Sequence, residues 1–139
     1  MTITARDDWH RSPDILIGER EHRRLTIAAL TDTTSHAEEI DFLLYELDRA
    51  QLVDDRSLPA DIVRLNSIVR YRPESGEERT VKLVLPDDTL LDERFRLPVT
   101  SHHGAALLGL RPGDALFWLN PDGTRGAVEV VRVANSPSR

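Results

Sequence analysis

The chain has 139 residues, a length that suits one ordinary globular domain or a small domain with an appendage. Acidic residues outnumber basic ones by 24 to 18, so the formal net charge is −6 and the chain repels a phosphate backbone unless its cations are segregated. Only 5% of the residues are aromatic and none is cysteine, which disfavours base stacking and excludes disulfides and thiolate metal sites. We therefore expect no autonomous nucleic-acid binding.

The amino-terminal residues MTITARDDWHR lack the apolar core of a signal peptide. The sequence also contains no run of about 20 apolar residues, the length that a membrane-spanning helix needs. These two features predict a cytoplasmic protein that makes no membrane contact.

A short extended segment at Ile15–Ile17 and then a first helix are predicted at the start of the chain. The helix covers EREHRRLTIAAL, residues 19–30, which is rich in helix formers. We expect an inward face and a solvent face, with Leu25, Ala28, Ile27 and Leu30 inside and Glu19, Arg20, Arg23 and Arg24 outside.

A second helix is predicted after the break TDTTS, whose side chains bond to local backbone groups and disfavour helix. Ser35 and Glu38 have the spacing of a capping box, and the helix then runs through residues 36–53. Its apolar stripe has helical spacing and consists of Ile40, Leu43, Leu44, Leu47 and Ala50. The two helices form a short antiparallel hairpin, and we expect its blunt end to project away from the rest of the protein.

The break DDRSLPAD, residues 54–61, predicts a domain boundary, with a helical hairpin at 1–55 and a β-rich domain at 56–139. Residues 61–73 and 79–86 alternate apolar and polar positions as strands do, and ESGE is the turn between them. A further strand is predicted in RFRLPV, residues 94–99. The fold class is therefore α+β.

Residues 104–123, GAALLGLRPGDALFWLNPDG, hold the end of a short helix, two turns and a strand. Thr100 or Ser101 caps the helix, Gly109 ends it, and AVEVVRV is the strand that returns after NPDG. Each glycine of this stretch has a backbone role, which favours closure of the fold over a ligand-binding loop.

Few residue patterns in the chain indicate enzyme chemistry. His102 and His103 are adjacent, so on a helix they point about 100° apart and do not share one metal ion. The acidic loop at 87–93 lacks the spacing of a calcium loop, and Ser101, His102 and Asp114 come without the GxSxG turn of a serine hydrolase. No phosphate-binding or dinucleotide motif is present. We expect no catalytic residue, no metal and no cofactor.

The hairpin tip at Asp32, Thr33 and Thr34 is the candidate binding site. A short polar loop on a rigid helical pair can reach into a recess of a partner, and acidic residues follow it at Glu38 and Glu39. The alternative is a solvated helix start in which the acidic residues complement the helix dipole.

Three blocks resemble the Gre family of transcription factors, most closely its Rnk branch, the regulators of nucleoside diphosphate kinase. The blocks are ELDRAQLV at 46–53, LPADIVRLNSIVRY at 58–71 and GAALLGLRPGD at 104–114. The resemblance implies an FKBP-like carboxy-terminal domain and an amino-terminal antiparallel coiled coil that enters the secondary channel of bacterial RNA polymerase.

In the cleavage factors of this family, the longer coiled coil carries an acidic pair, spaced D-x-x-E, that helps to hold the catalytic magnesium ion. The matching positions here read Asp32-Thr33-Thr34-Ser35, so the glutamate is absent. The resemblance therefore implies a monomeric, non-enzymatic regulator that binds RNA polymerase without stimulating transcript cleavage. Arg20, Arg23 and Arg24 are candidate contacts to an acidic rim of the polymerase, with solvated helix charges as the alternative.

Another reading is an FKBP-like prolyl isomerase or a protein-interaction module. Isomerase activity needs a concave pocket lined by several aromatic rings, and fold alone does not supply it. The β-rich part offers only Tyr71, Phe95, Phe117 and Trp118.

Overall fold

The computed structural model describes residues 12–86 and 94–135. Its elements in chain order are β1 (Leu16–Gly18), α1 (Glu19–Thr31), α2 (Ala37–Arg49), β2 (Gln51–Val53), a 3₁₀ turn (Asp55–Ser57), β3 (Ile68–Pro73), β4 (Arg79–Val84), β5 (Arg96–Pro98), α3 (His102–Leu107), β6 (Ala115–Leu119) and β7 (Arg125–Ala134). The predicted α+β class and the helical hairpin are confirmed. The acidic loop at 87–93 lies outside the described residues.

The main sheet has five strands in the order β5-β4-β3-β7-β6. Its pairs are antiparallel except for β4 and β5, which run parallel. A bulge between Arg70 and Tyr71 shifts the register of β3 against β7. Alternating side chains of the strands point to opposite faces, and α3 covers the face that carries Val69, Val128 and Val130.

A second, two-stranded sheet ties the base of the hairpin together. β1 and β2 pair in parallel, with Leu16 opposite Gln51, and the Gln51 N–H donates to the Ile15 carbonyl at 2.9 Å. The prediction that the second helix continues to residue 53 is therefore wrong, since the helix ends at Arg49 and Ala50 is extended. Pairing with a distant strand outweighs the favourable helix propensity of Gln51 and Leu52.

The predicted start of the second helix is one residue too early. The residue before the helix is His36, whose backbone N–H donates to Glu39 Oε1 at 3.3 Å, so Ser35 and Glu38 do not form the capping box. Ser35 instead donates its hydroxyl to Asp32 Oδ2 at 2.6 Å. The tight turn after α1 competes for the serine side chain and decides its partner.

The hairpin and the main sheet share one hydrophobic core. Leu25 and Ala29 of α1 and Leu43 and Leu47 of α2 belong to the same buried cluster as Leu83 of β4. Ile27 and Leu30 are 57% and 68% exposed, so the prediction that they face inward is wrong. The buried stripe of α1 follows Glu21, Leu25 and Ala29, and Ile27 and Leu30 lie on the opposite side of the helix. The division into domains at 1–55 and 56–139 stays a prediction.

Residues 104–123, which contain the end of α3 and the turns after it, close the fold, as predicted. Ser101 Oγ accepts from the Gly104 N–H at 3.0 Å and caps α3. Gly109 has φ +80°, and its N–H donates to the Val63 carbonyl at 2.9 Å. A β-carbon at Gly109 would lie 2.7 Å from Cβ of Ile15, so the close approach of β1 requires glycine here.

Candidate functional site

The hairpin tip is a compact turn organised by the carboxylate of Asp32. Asp32 Oδ1 accepts from the Thr34 backbone N–H and from Thr34 Oγ1, both at 2.7 Å, while Oδ2 accepts from Ser35. The hydroxyl of Ser35, followed by the Thr34 donors, holds the pKa of Asp32 below its ordinary value. Both carboxylate oxygens are therefore engaged inside the tip, and Thr33 and Thr34 are exposed.

The tip does not stand clear of the β domain. Ala28, Thr31 and residues 32–34 line a shallow depression together with Leu85 and Pro86, which follow β4. The expectation of a hairpin whose blunt end projects away from the β domain is therefore wrong. Each helix has only 13 residues, and the turn between them lies beside the segment that follows β4.

An aromatic junction fixes the hairpin to the sheet. The ring centroid of Phe42, on α2, lies 5.2 Å from that of His102 and 5.4 Å from that of Trp118. The His103 ring meets Trp118 edge to face at 5.4 Å. Ring contacts therefore join α2, α3 and β6. Their tilted and edge-to-face arrangements are ones that aromatic pairs prefer.

The two adjacent histidines both contact the Trp118 ring, and His103 also has an acidic partner. His102 stacks near Trp118, whereas His103 Nε2 lies 3.0 Å from Glu74 Oε1. That same oxygen of Glu74 accepts from the Ala127 N–H at 3.1 Å. Within residues 12–86 and 94–135, no group of three or more His, Asp or Glu side chains is placed to hold a metal ion.

The basic residues Arg20, Arg23 and Arg24 are exposed along α1, as expected. The backbone of Arg20 is held at the helix start, because its N–H donates to Asp55 Oδ1 at 2.8 Å. The side chains therefore lie on the solvent side of a fixed helix. Their role as polymerase contacts, like that of Asp32, Thr33 and Thr34, stays a prediction.

Two buried glutamates were missed by the sequence reasoning. Glu21 is 6% exposed; its Oε1 accepts from the Leu65 N–H at 3.2 Å and lies 3.7 Å from Arg64 Nε. Glu46 is 2% exposed and lies 2.9 Å from Arg49, which also donates to the Pro13 carbonyl. Burial raises the pKa of both carboxyl groups.

Helical spacing was the signal that could have identified these residues. Glu21 is four residues before Leu25, and Glu46 is three residues after Leu43, so both lie on the apolar stripe of their helix. They connect the hairpin to the segment at Arg64 and to the chain before β1, and so contribute to its placement.

The aromatic side chains of the β domain do not converge on one pocket. Phe117 is 51% exposed on one face of the sheet, whereas Tyr71 and Trp118 are buried on the other. The inner face is filled by Ala105, Leu107 and other side chains of α3 and its C-terminal end. No feature of the described residues favours the prolyl isomerase reading.

Comparisons with known proteins agree on one family. Residues 58–135 match the family model "Transcription elongation factor, GreA/GreB, C-term". The chain is 34% identical over 125 residues to the regulator of nucleoside diphosphate kinase of Escherichia coli K12, covering 90% of this chain and 92% of that protein. It is 36% identical over 88 residues to the transcription inhibitor protein Gfh1 of Thermus thermophilus, covering 62% of this chain and 55% of that protein.

A solved structure has a similar fold. The GreA/GreB transcription elongation factor of Nitrosomonas europaea superposes with a TM-score of 0.66 and 35% identity, covering 89% of this chain and 100% of that chain. Among the helices that the structure describes, none is long and apolar enough to cross a membrane.

Proposed function

The chain belongs to the GreA/GreB family of transcription elongation factors, and from that membership we propose that it binds bacterial RNA polymerase and regulates transcription without stimulating transcript cleavage. It acts as a binding protein with no catalytic activity of its own. An effect on a nucleotide kinase, which the name of the E. coli relative suggests, then follows from altered transcription.

The geometry of the tip is the observation that supports a factor without cleavage activity. Ser35 occupies the place where the cleavage factors resembled by this sequence have a glutamate, and its hydroxyl donates to the one remaining carboxylate, Asp32. Hard divalent cations favour several oxygen ligands. Both carboxylate oxygens of Asp32 already accept hydrogen bonds from residues of the tip. The tip therefore lacks a carboxylate pair for a catalytic magnesium ion.

The dimensions of the hairpin support a contact at the entrance of the secondary channel. Each helix has 13 residues, which at 1.5 Å per residue gives a length of about 20 Å. The tip adjoins Leu85 and Pro86 of the β domain, so the domain would meet the polymerase surface before the tip travelled far inside. Thr33 and Thr34 would then contact the channel mouth, and Arg20, Arg23 and Arg24 an acidic rim.

Site-specific crosslinking tests the proposal directly. A photoreactive residue at Thr33 of the full chain is expected to crosslink to purified bacterial core polymerase, whereas the same residue at Asp122, in the exposed β6–β7 turn, is expected to do so weakly. The protein should also compete with a Gre factor for the polymerase and leave backtracked transcripts uncut. If core polymerase retains no protein at low salt, the proposal is wrong.

A further inference from the structure

The outer face of the main sheet, turned away from α3, is rich in cations. Val69, Tyr71, Val81 and Leu83 point into the core. The alternate positions of the same and neighbouring strands point outward and carry Arg70, Arg72, Lys82 and Arg132, with Arg96 and Arg125 at the margins. In a chain of net charge −6, this outer face has the opposite sign to the whole.

Cations lie directly opposite one another on this face. Arg70 of β3 is the register partner of Arg132 of β7. Lys82 of β4 is the register partner of Arg96 of β5. Side chains at such positions have Cβ atoms about 5 Å apart, and like charges there destabilise the sheet.

Glu78 and Glu129 neutralise two of the arginines of this face. Arg72 donates to Glu78 and to Glu129, both at 2.7 Å, and Arg70 lies 2.7 Å from Glu78. For Lys82 and Arg132, no ion pair is formed within the part of the chain that the structure describes. Among the described residues, the positive charge without an internal acidic partner is therefore carried by Lys82 and Arg132, which lie on the strands on either side of Arg70.

We propose that this outer face binds an extended acidic segment of a protein partner. Arg70 pairs with Thr80, two residues from Lys82, so Lys82 and Arg70 are diagonal neighbours about 7 Å apart. In an extended chain, side chains on one side repeat every two residues, also about 7 Å. Alternate acidic residues of such a segment match the spacing of Lys82 and Arg70, and Arg132 lies directly beside Arg70.

The same face favours a protein segment over nucleic acid. Phe117 is its one exposed aromatic ring among the described residues, whereas single-stranded nucleic acid is usually bound on several stacked rings. Leu119 and Val131 are 51% and 36% exposed, and they offer apolar contacts beside the cations. The net charge of −6 also disfavours a long polyanion.

A binding experiment with the full chain tests this proposal. The probe is a fluorescent peptide of alternating glutamate and serine, titrated at low salt and read by anisotropy, with single-stranded RNA of equal charge as the comparison. Arg132→Glu is expected to weaken peptide binding about tenfold and, because it places a carboxylate opposite Arg70, to raise the urea midpoint of unfolding. The double variant Arg132→Glu/Lys82→Glu should weaken binding further.

Arg56→Glu provides a matched control, because Arg56 has a highly exposed side chain outside the sheet and the charge change is the same. Its peptide affinity should change less than twofold. Absence of peptide binding by the unmodified chain, or an equal loss in the Arg56→Glu control, would overturn the proposal. Tighter binding of the RNA than of the peptide would also overturn it and assign the face to nucleic acid.

Discussion

The ring of Phe42 lies 5.4 Å, centroid to centroid, from the ring of Trp118, and this contact joins the second helix of the hairpin to strand β6. Phe42 is half-buried and packs against the hydrophobic core of the β domain. The contact explains why the hairpin lies against the β domain rather than standing away from it.

Phe42→Ala should therefore destabilise the protein and loosen the hairpin. Loss of a half-buried ring is expected to lower the free energy of unfolding by about 2 kcal/mol, less than for a fully buried phenylalanine. Urea unfolding measures the change, and hydrogen exchange in α2 should become faster. Tyr45→Ala on the same helix is the control, because Tyr45 is 65% exposed and its loss should change stability by less than about 0.5 kcal/mol. Equal effects of the two variants would contradict this role of Phe42.

Glu21→Gln should raise stability at neutral pH and not in acid. Burial raises the folded-state pKa of Glu21 above its ordinary value of 4.5, so its contribution to stability is complete below that value and is lost as the pH rises through the folded-state pKa. The amide of glutamine still accepts from Leu65 but carries no charge. Urea unfolding at pH 7 should therefore give a higher free energy of unfolding for the variant than for the unmodified chain. This difference in stability should vanish below pH 4.5.

The exposed Glu19, on the same helix, supplies the control for that experiment. Glu19→Gln should leave stability nearly unchanged at both pH values. If Glu21→Gln is the less stable protein at pH 7, the attraction between Glu21 and Arg64 outweighs the penalty of burial, and the interpretation is wrong.

Ser35→Glu recreates the acidic spacing of the cleavage factors but should not create cleavage activity. The tip adjoins Leu85 and Pro86, and the proposed contact leaves it at the channel entrance. Cleavage of backtracked transcripts by core polymerase should stay at the level seen without the factor, and polymerase affinity should change little. Clear stimulation by Ser35→Glu would show that the tip reaches the active centre and that the missing glutamate alone accounts for the inactivity.

Gly109→Ala should be much more destabilising than Gly113→Ala, although both glycines have positive φ values. A β-carbon at Gly113 meets nothing within 4 Å, so only backbone strain of about 1 kcal/mol is expected. At Gly109 it would lie 2.7 Å from Ile15 and 3.1 Å from the Leu16 carbonyl, and strain plus displacement of β1 should total roughly 3 kcal/mol. Thermal or urea unfolding of both variants measures the difference. Equal losses of stability in the two variants would mean that β1 moves away from residue 109 at no cost in free energy.

Local chemistry in the sequence was enough to predict most of the β domain. Alternating residues predicted β3 and β4, although β3 begins at Ile68 and not at residue 61. The cap at Ser101 predicted α3, and the glycines at 109 and 113 predicted the turns that follow. Each of these features depends on residues within a few positions of one another, so the local sequence is enough to predict it.

The candidate site was predicted less completely. The sequence identified Asp32 and the exposed arginines of α1, but it did not reveal that Ser35 bonds to Asp32 or that Leu85 lies beside the tip. It also did not predict β2, because the pairing of Gln51 with Leu16 joins residues that are far apart in the chain.

What the sequence by itself determined is the set of local elements and the absence of a second carboxylate at the tip, since periodicity, capping residues and glycine positions act over a few residues. Only the tertiary structure decided where the hairpin lies and that Arg70 faces Arg132. The physical reason is that Phe42 and Trp118, like the paired arginines, meet through packing and strand register between distant segments, and no local pattern encodes which distant surfaces will bury one another.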